Sequence, residues 1–457
     1  MTTDIYAKLE LLDILIFGLC LLISIAVAFV AYYQANKAED SLVYYLLMGR
    51  QLSLPFFVAT LVATWYGGIF GVTAIAFESG IYNFITQGVF WYFTYLIMAF
   101  FFVNKIKAID AMTLPELVEK QFGKSAAKVA AIFNLFNVIP IAYTISIGLF
   151  LQMLFGGDLN VWMILGLGIV LIYTSASGFR SVIYTDLWQF ALMFSAVVIV
   201  LIISIQDFGG ISYLKSSLPA SHFQVQGQHS IWEMLAWGFI ALSTLVDPNF
   251  YQRIFAAKNP RVAKRGIIIS TGIWLIFDLC TTFGAMYARA SMPNADAKNA
   301  YMLYAFDLLP VGLKGFFLAG IFATILSTLD SYLFVAGNTL TYDLLYQKQK
   351  RTNVHRLGLF FIAIISIILS NVFEGNIRMV WKTLGSYSAG SPLVVIVYAF
   401  YFPKRLKEKD FLMTVLSAAL MMSLCRLLLP GIESLYVGLG CSLLSTAYYH
   451  FSFRISK

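Results

Sequence analysis

Several oxygen-bearing side chains lie within a short stretch of the chain that is otherwise apolar. The stretch covers residues 318–333, and its oxygen-bearing side chains include Thr324, Ser327, Thr328, Asp330 and Ser331. At 3.6 residues per turn, the four hydroxyl residues lie on one helix face, and Asp330 adjoins that face. Hydroxyl and carboxylate oxygens suit a hard cation such as sodium, and an acid at membrane depth needs a partner or an ion path. The spacing predicts one wall of an ion site, although serine and threonine can also bond to their own helix carbonyls or hold helices together.

The composition of the chain is that of an integral membrane protein. Of its 457 residues, 60% are hydrophobic and 12% are charged, whereas a soluble domain is roughly 45–50% apolar and 25% charged. The apolar runs lie at 13–33, 52–76, 84–103, 127–154, 160–177, 183–205, 231–249, 266–288, 311–338, 357–372, 380–402, 411–429 and 434–452. We therefore expect an all-α protein with about 13 transmembrane helices. We expect the first helix to stay in the protein, because it does not have the pattern of a cleaved signal peptide.

Lysine and arginine are concentrated in alternate loops between these runs. Examples are the loops around Lys37, Lys105, Lys264 and Lys350, whereas the intervening loops carry few basic residues. By the positive-inside rule the basic loops are cytoplasmic, which places the N-terminus outside and the C-terminus in the cytoplasm. We expect a multi-pass protein of the cell's inner (plasma) membrane. The net charge of +8 then reflects topology and does not indicate a nucleic-acid partner.

The span at 52–76 is interrupted in its middle by Gly67 and Gly68. Adjacent glycines weaken a helix, and opened backbone at membrane depth is tolerated only where it is buried in protein or lines a cavity. The freed carbonyl groups are candidate cation ligands, although close helix packing also explains the glycines. Trp65 lies beside them, away from the interfacial belt, and its ring is suited to binding a substrate cation.

A second broken span opens the second half of the chain. Pro248 interrupts the span at 231–249, and Asp247 precedes it directly. Two interrupted spans in corresponding positions indicate an inverted-repeat transporter with its binding site between the repeats. Asp247 could neutralise a cationic group of the substrate, cap the opened backbone or pair with Arg253.

This arrangement divides the chain into five parts. They are an N-terminal helix and cytoplasmic linker at 1–51, a first repeat at 52–205, an extracytoplasmic loop at 206–230, a second repeat at 231–403 and two C-terminal helices at 404–457. Two more acids lie in the repeats. Asp186 is either an acid at a helix start near the membrane surface or a ligand beside the 318–333 helix, and for Asp278 the sequence identifies no partner.

Five motifs together resemble the sodium/solute symporter family, which includes proline, pantothenate, sialic acid, sugar and choline transporters. The motifs are LLMGRQLS at 46–53, TLPEL at 113–117, SGFRSVIYTDLWQF at 177–190, PNFYQRIFAAK at 248–258 and ATILSTLDS at 323–331. The resemblance extends over nearly the whole chain. It implies a LeuT-like inverted-repeat core of five plus five helices, with one extra N-terminal helix and two extra C-terminal helices.

The resemblance implies sodium ligands on the 318–333 helix. Ser327 and Thr328 take the positions of the family's two hydroxyl ligands, and Thr324 takes that of a backbone-carbonyl ligand. Asp186 takes the place of the acidic residue beside that site. Some members hold a second sodium ion, whose ligands here would be Asp186, Ser327, Asp330 and Ser331.

The resemblance is less definite in the broken helix. Counting from Arg50 places its two carbonyl ligands near Ala63 and Tyr66, and counting back from Gly80 places them near Leu61 and Thr64. The sequence ATWYGG resembles the choline-transporter branch, in which a tryptophan contacts the quaternary ammonium. At the position of Asp247 that branch has an aromatic residue. An acid at this position favours a substrate with an amine or ammonium group. The candidate substrate residues are Trp65, Gln87, Trp91 and Asp247.

We therefore expect a sodium-coupled symporter that imports a small polar solute, such as an amino acid, a betaine or a choline-like molecule, by alternating access. Its partners would be that solute, Na+ and the lipid bilayer. A proton-coupled transporter of the same fold and a non-transporting solute sensor are the alternatives. We do not expect an enzyme, because the spans contain no HExxH motif and no nucleophile–base pair, and the one histidine within them, His450, lies near a span end. The cysteines and histidines have no metal-ligand spacing.

Overall fold

The computed structural model describes residues 8–36, 41–345 and 352–455. Within these ranges the secondary structure is helical, apart from one isolated bridge between Leu52 and Ala257. The helices before the outer loop are α1 (Leu11–Asn36), α2 (Leu42–Leu47), α3 (Leu54–Ala63), α4 (Ile69–Ser79), α5 (Ile81–Lys107), α6 (Leu114–Phe122), α7 (Lys124–Phe155), α8 (Leu159–Ser177), α9 (Phe179–Phe208) and α10 (Ile211–Ser217). Those after it are α11 (Ile231–Ala241), α12 (Pro248–Ala256), α13 (Pro260–Ser291), α14 (Ala297–Leu308), α15 (Leu313–Leu344), α16 (Thr352–Val372), α17 (Ile377–Gly390), α18 (Pro392–Tyr401), α19 (Glu408–Leu428) and α20 (Ser434–Ile455).

Many of these helices are long and apolar enough to cross a membrane. In the described part of the chain, eight helices have the length and apolar composition of a membrane span. The pair α17 and α18, which is bent by 41°, would be a ninth if it forms one span. The shorter apolar helices include α3, α4 and part of α8. The prediction of an all-α, multi-spanning protein is confirmed, and the count of 13 spans stays a prediction.

The first predicted break is present between α3 and α4. Ser53 precedes α3, and a proline in the first turn suits the helix start because its missing N–H would have no partner there. The helix ends at Ala63, and α4 begins only at Ile69. The interruption therefore starts several residues before Gly67 and leaves backbone groups open in the protein interior.

The second predicted break lies between α11 and α12. The end of α11 tightens into a 3₁₀ turn at Leu242–Val246, and α12 begins at Pro248. The Asp247 side chain accepts a hydrogen bond from the Asn249 backbone N–H at 2.7 Å. Asp247 is thus the N-cap of α12, as one of its three predicted roles requires.

Helix α15 lies at the centre of the molecule. Its apolar window is fully buried, and the helix packs against α1, α9 and α16. Burial on all sides places its hydroxyl face in the protein interior, away from lipid.

The two broken spans are joined at the end predicted to be cytoplasmic. The Leu52 backbone N–H donates to the Ala256 carbonyl, and the Lys258 N–H donates to the Leu52 carbonyl, both at 3.0 Å. The Lys107 ammonium donates to the Ala257 carbonyl at 2.8 Å. The segment before α3 and the end of α12 are therefore held together through their main chains.

Candidate ion site and substrate cavity

The end of α3 meets the hydroxyl face of α15. The Ser327 hydroxyl lies 2.8 Å from the Ala63 carbonyl oxygen and 3.2 Å from the Thr324 carbonyl oxygen. The Thr328 hydroxyl lies 3.2 Å and 3.1 Å from the same two oxygens. All four residues are buried. Two hydroxyl and two carbonyl oxygens therefore converge at one point, which is a suitable set for a hard cation.

Glycine in the break allows this approach. A Cβ atom added to Gly67 would lie 2.5 Å from Thr328 Cβ, which is closer than the two atoms can come. The Gly67 N–H donates to the Thr328 hydroxyl oxygen at 2.8 Å, which fixes the position of that side chain. The absence of a side chain at Gly67 thus allows its backbone to lie directly against Thr328.

The remaining candidate carbonyl ligands lie in or near the break. Tyr66 is inside it, and its ring packs on Phe277 with centroids 3.9 Å apart. Leu61 lies within α3 and is buried. The Thr64 hydroxyl donates to the Thr60 carbonyl at 2.6 Å, within the same helix end. The hydroxyls of Ser327 and Thr328 contact the Ala63 carbonyl oxygen, which favours the register with Ala63 and Tyr66.

Asp186 is buried inside the protein. It is about two turns into α9 and fully buried, so it is not an acid at an interfacial helix start. Its Oδ2 accepts a hydrogen bond from the Thr60 hydroxyl at 2.5 Å. The nearest positive charge is Arg253, whose Nη2 lies 3.9 Å from the same oxygen. The carboxylate is therefore paired inside the protein.

Arg253 is the main residue of this region that the sequence did not assign. Its fully buried guanidinium donates to the hydroxyls of Thr60 (3.0 Å), Thr64 and Ser331 (3.1 Å). Ser331 also lies 3.1 Å from the Thr64 hydroxyl. Asp330, on the neighbouring position of α15, is fully buried as well. The motif PNFYQRIFAAK, which contains Arg253, was the available signal, but the partners of Arg253 lie on α3, α9 and α15.

All four candidate substrate residues line one cavity. They are Trp65, Gln87, Trp91 and Asp247. Trp65 stands edge-on to Tyr95 and Phe250, at interplanar angles of 85° and 87°. Asp278 also reaches the cavity, and its carboxylate accepts a hydrogen bond from the Tyr92 hydroxyl.

Sequence reasoning did not identify several other lining residues. They include Asn137, Tyr143, Trp237, Ser243, Tyr332 and Trp381. Trp381 packs so closely on the break that a Cβ atom at Gly68 would lie 2.1 Å from its ring. Two of the lining residues, Gln87 and Asn137, have buried amide nitrogens that donate to no other group in the described part of the chain.

The charges around this cavity are of one sign. Asp247 and Asp278 are its charged lining residues, and no lysine, arginine or histidine is among the described residues that line it. Nor do the described residues include a group of three His, Cys, Asp or Glu side chains that could hold a transition metal. An aromatic cavity with two acids suits an organic cation.

Comparison with known proteins identifies a family of transporters. The model of the sodium:solute symporter family matches residues 44–418. The osmoregulated proline transporter OpuE of Bacillus subtilis is 27% identical over 76% of this chain and 75% of its own length. The mouse sodium/glucose cotransporter 4 is 26% identical, with 80% of this chain and 61% of that protein covered.

Solved structures show the same fold. A Na+-coupled sialic acid symporter in a substrate-bound, outward-open state matches 98% of this chain and 98% of its own, with a TM-score of 0.77 at 16% identity. Mhp1, a nucleobase-cation-symport-1 family transporter, matches 91% of this chain and 96% of its own, with a TM-score of 0.59 at 12% identity. The fold is therefore the LeuT-like transporter fold.

Proposed function

This chain belongs to the sodium:solute symporter family, and we propose that the solute it imports together with sodium is a small molecule with an amine or ammonium group. As a member of that family it is a sodium-coupled, multi-pass membrane transporter. The observation that carries the proposal is the lining of the central cavity, which has two carboxylates, many aromatic rings and no described basic residue. An anionic substrate would be repelled there, whereas an amine or ammonium group would bring a positive charge to the two acids.

Asp247 is the residue we assign to the substrate's positive charge. It belongs to the second broken span, borders the cavity and is held in place by its hydrogen bond to the Asn249 N–H. Trp65 borders the same cavity and offers a ring surface for a cation. The Gln87 and Asn137 amides can donate to a carboxylate or hydroxyl of the same substrate. A zwitterionic amino acid or a betaine would satisfy both ends.

We assign the sodium ion to the convergence point of α3 and α15. Its ligands are the carbonyl oxygens of Ala63, Tyr66 and Thr324 and the hydroxyl oxygens of Ser327 and Thr328. A bound ion would hold the end of α3 against α15 and so stabilise one of the two access states. Its departure to the cytoplasm would release that contact and the substrate, because the ion's different affinity for the two states drives the change.

Uptake into proteoliposomes tests the substrate class. The purified protein is given an inward sodium gradient and a radiolabelled panel of amino acids, betaines, choline, neutral polyols and monocarboxylates. We expect sodium-driven uptake to be confined to the amine- and ammonium-bearing compounds. Uptake of a polyol that amines do not inhibit would refute this substrate class and leave sodium coupling intact.

The same preparation tests the mechanism. Replacing sodium by potassium at equal ionic strength should abolish uptake, and an acidic outer buffer without sodium should not restore it. Acid-driven uptake would favour a proton-coupled transporter. Specific binding of a solute without any uptake would favour a solute sensor. That result would contradict the proposal that the chain imports its solute.

We place the protein in the plasma membrane with its N-terminus outside and its C-terminus in the cytoplasm. The distribution of lysine and arginine between alternate loops supports this orientation. Cysteines placed at Gln226 and at Lys409, in a background without the four native cysteines, are predicted to lie on opposite sides. A membrane-impermeant maleimide applied to intact cells should label the first alone. The reverse labelling would contradict the orientation.

A further inference from the structure

Arg253 lies where a second sodium ion would otherwise be expected. The oxygens proposed for a second ion are those of Asp186, Ser327, Asp330 and Ser331, and the Arg253 guanidinium already contacts two of these residues. Its Nη2 lies 3.1 Å from the Ser331 hydroxyl and 3.9 Å from Asp186 Oδ2. We propose that Arg253 is a tethered cation that fills this second position, so that the protein binds a single sodium ion in each cycle.

The contacts of Arg253 are those of a cation surrounded by oxygen ligands. Besides Ser331, Nη2 donates to the hydroxyls of Thr60 and Thr64, and Nη1 lies 3.4 Å from the Asn249 carbonyl. The side chain is fully buried, and so is that of Asp186. A mobile ion placed among the same oxygens would meet a fixed positive charge at close range, which it could not displace.

The guanidinium also satisfies the electrostatic requirement that a second ion would meet. Asp186 needs a positive partner at this depth, and arginine keeps its charge inside proteins. Thr60 bridges the pair, because its hydroxyl donates to Asp186 at 2.5 Å and accepts from Arg253 at 3.0 Å. In this structure the carboxylate is therefore paired with a positive charge of the chain itself, without an ion from solution.

The neighbouring site stays available to sodium. The hydroxyls of Ser327 and Thr328 contact the carbonyls of Ala63 and Thr324, and the hydrogen bonds of Arg253 go to other residues. One position is thus open to a mobile ion and the adjacent one is occupied by the chain itself. The inference rests on the proposed sodium site, and it adds the number of ions and the role of Arg253.

Counting bound sodium tests the inference directly. Purified protein is equilibrated with radioactive sodium, and the bound ion per protein is measured together with the Hill coefficient of sodium-dependent thermal stabilisation. We expect one ion and no cooperativity for the wild type. Two ions for the wild type would overturn the inference while leaving the first site in place, whereas no bound ion would refute the proposed sodium site itself.

Substitutions then test the role of the arginine. Arg253→Ala removes the tethered charge and leaves Asp186 unpaired, so we expect a second bound ion and a Hill coefficient above one. Arg253→Lys keeps a cation and should bind one. In the double variant Asp186→Asn with Arg253→Ala, the carboxylate is gone and the count should return to one. An Arg253→Ala protein that still binds one ion would overturn the inference, and if that variant does not fold, the wild-type count and the double variant decide.

Discussion

The hydroxyl of Ser327 lies 2.8 Å from the carbonyl oxygen of Ala63, and this contact joins two residues that are 264 positions apart in the chain. Ala63 is the last residue of α3, and its carbonyl is open because the helix stops there. Since Ser327 belongs to the buried central helix, the contact connects the broken span to the part of the molecule that is least exposed. An ion bound here would act on both elements together.

Removing the Ser327 hydroxyl should weaken sodium binding. A lost ligand to a charged group costs roughly 1.5–3 kcal/mol, so Ser327→Ala should raise the sodium concentration for half-maximal uptake by about 10- to 150-fold. The sodium-dependent rise in thermal stability should shrink in parallel. Ser146→Ala is the matched control, because that hydroxyl is buried but bonds the Ala142 carbonyl of its own helix. Equal sodium dependence of the two variants would contradict the site.

Neutralising Asp247 should affect the substrate and leave sodium binding in place. Asp247→Asn keeps an oxygen that can accept from the Asn249 N–H, so α12 should remain capped. Loss of the charge should weaken the binding of an amine by roughly 10- to 100-fold, because a buried ion pair is broken. Asp296→Asn, which changes the N-cap of the outer helix α14, serves as the control. Unchanged amine affinity in the first variant would remove Asp247 from the site.

Gly68 controls how closely α17 can pack on the break. The Cβ of Gly68→Ala would lie 2.1 Å from the Trp381 ring, so the variant should disfavour the arrangement seen here. Overpacking of this kind costs roughly 1–3 kcal/mol, and we expect a fall in the uptake rate of about 5- to 150-fold. Gly272→Ala meets nothing within 4 Å and should transport normally. Normal transport by both variants would show that this contact does not matter.

The outer loop should make stability depend on pH. Burial lowers the pKa of His222 by more than its hydrogen bond to the Phe77 carbonyl, 3.1 Å from Nε2, raises it, and the positive charge of Arg289 lowers the pKa further. The folded protein therefore binds this proton less readily than the unfolded chain. Stability from this group is complete above the ordinary histidine pKa of about 6.5 and falls as the pH drops below it.

Thermal unfolding between pH 7.5 and pH 5.5 checks this expectation. The loss of stability on acidification should be smaller in His222→Gln than in the wild type, because glutamine does not titrate. His450→Gln, at a partly buried histidine near the opposite end of the chain, should behave as the wild type does. If the loss of stability in acid is unchanged in His222→Gln, another titrating group causes it.

The sequence was sufficient to predict elements whose signal is local. The spacing of hydroxyl residues on the 318–333 helix and the glycines at 67 and 68 each lie within a few residues of one another. They correctly indicated a polar helix face and an interrupted span. The family and the sodium-coupled function also followed from short motifs, and both agree with the comparisons.

The features that escaped prediction depend on contacts between distant helices. The choice between Ala63 and Leu61 required the position at which α3 ends, and the sequence from Thr64 to Gly68 does not define it. Arg253 looked like a partner for the nearby Asp247, but its hydrogen bonds reach Thr60, Thr64 and Ser331 on other helices. Periodicity within one helix carries no information about such pairings.

The main-chain bonds of Leu52 with Ala256 and Lys258 have a mechanical consequence. They tie the inner half of one repeat to the inner half of the other without any side chain, so substitutions there cannot easily separate them. One of these halves ends at Ala63, a proposed ion ligand, and the other begins directly after Asp247, which lines the cavity. If the inner halves move during transport, these bonds would make them move together. The release of the ion and the release of the solute would then be coupled through the backbone.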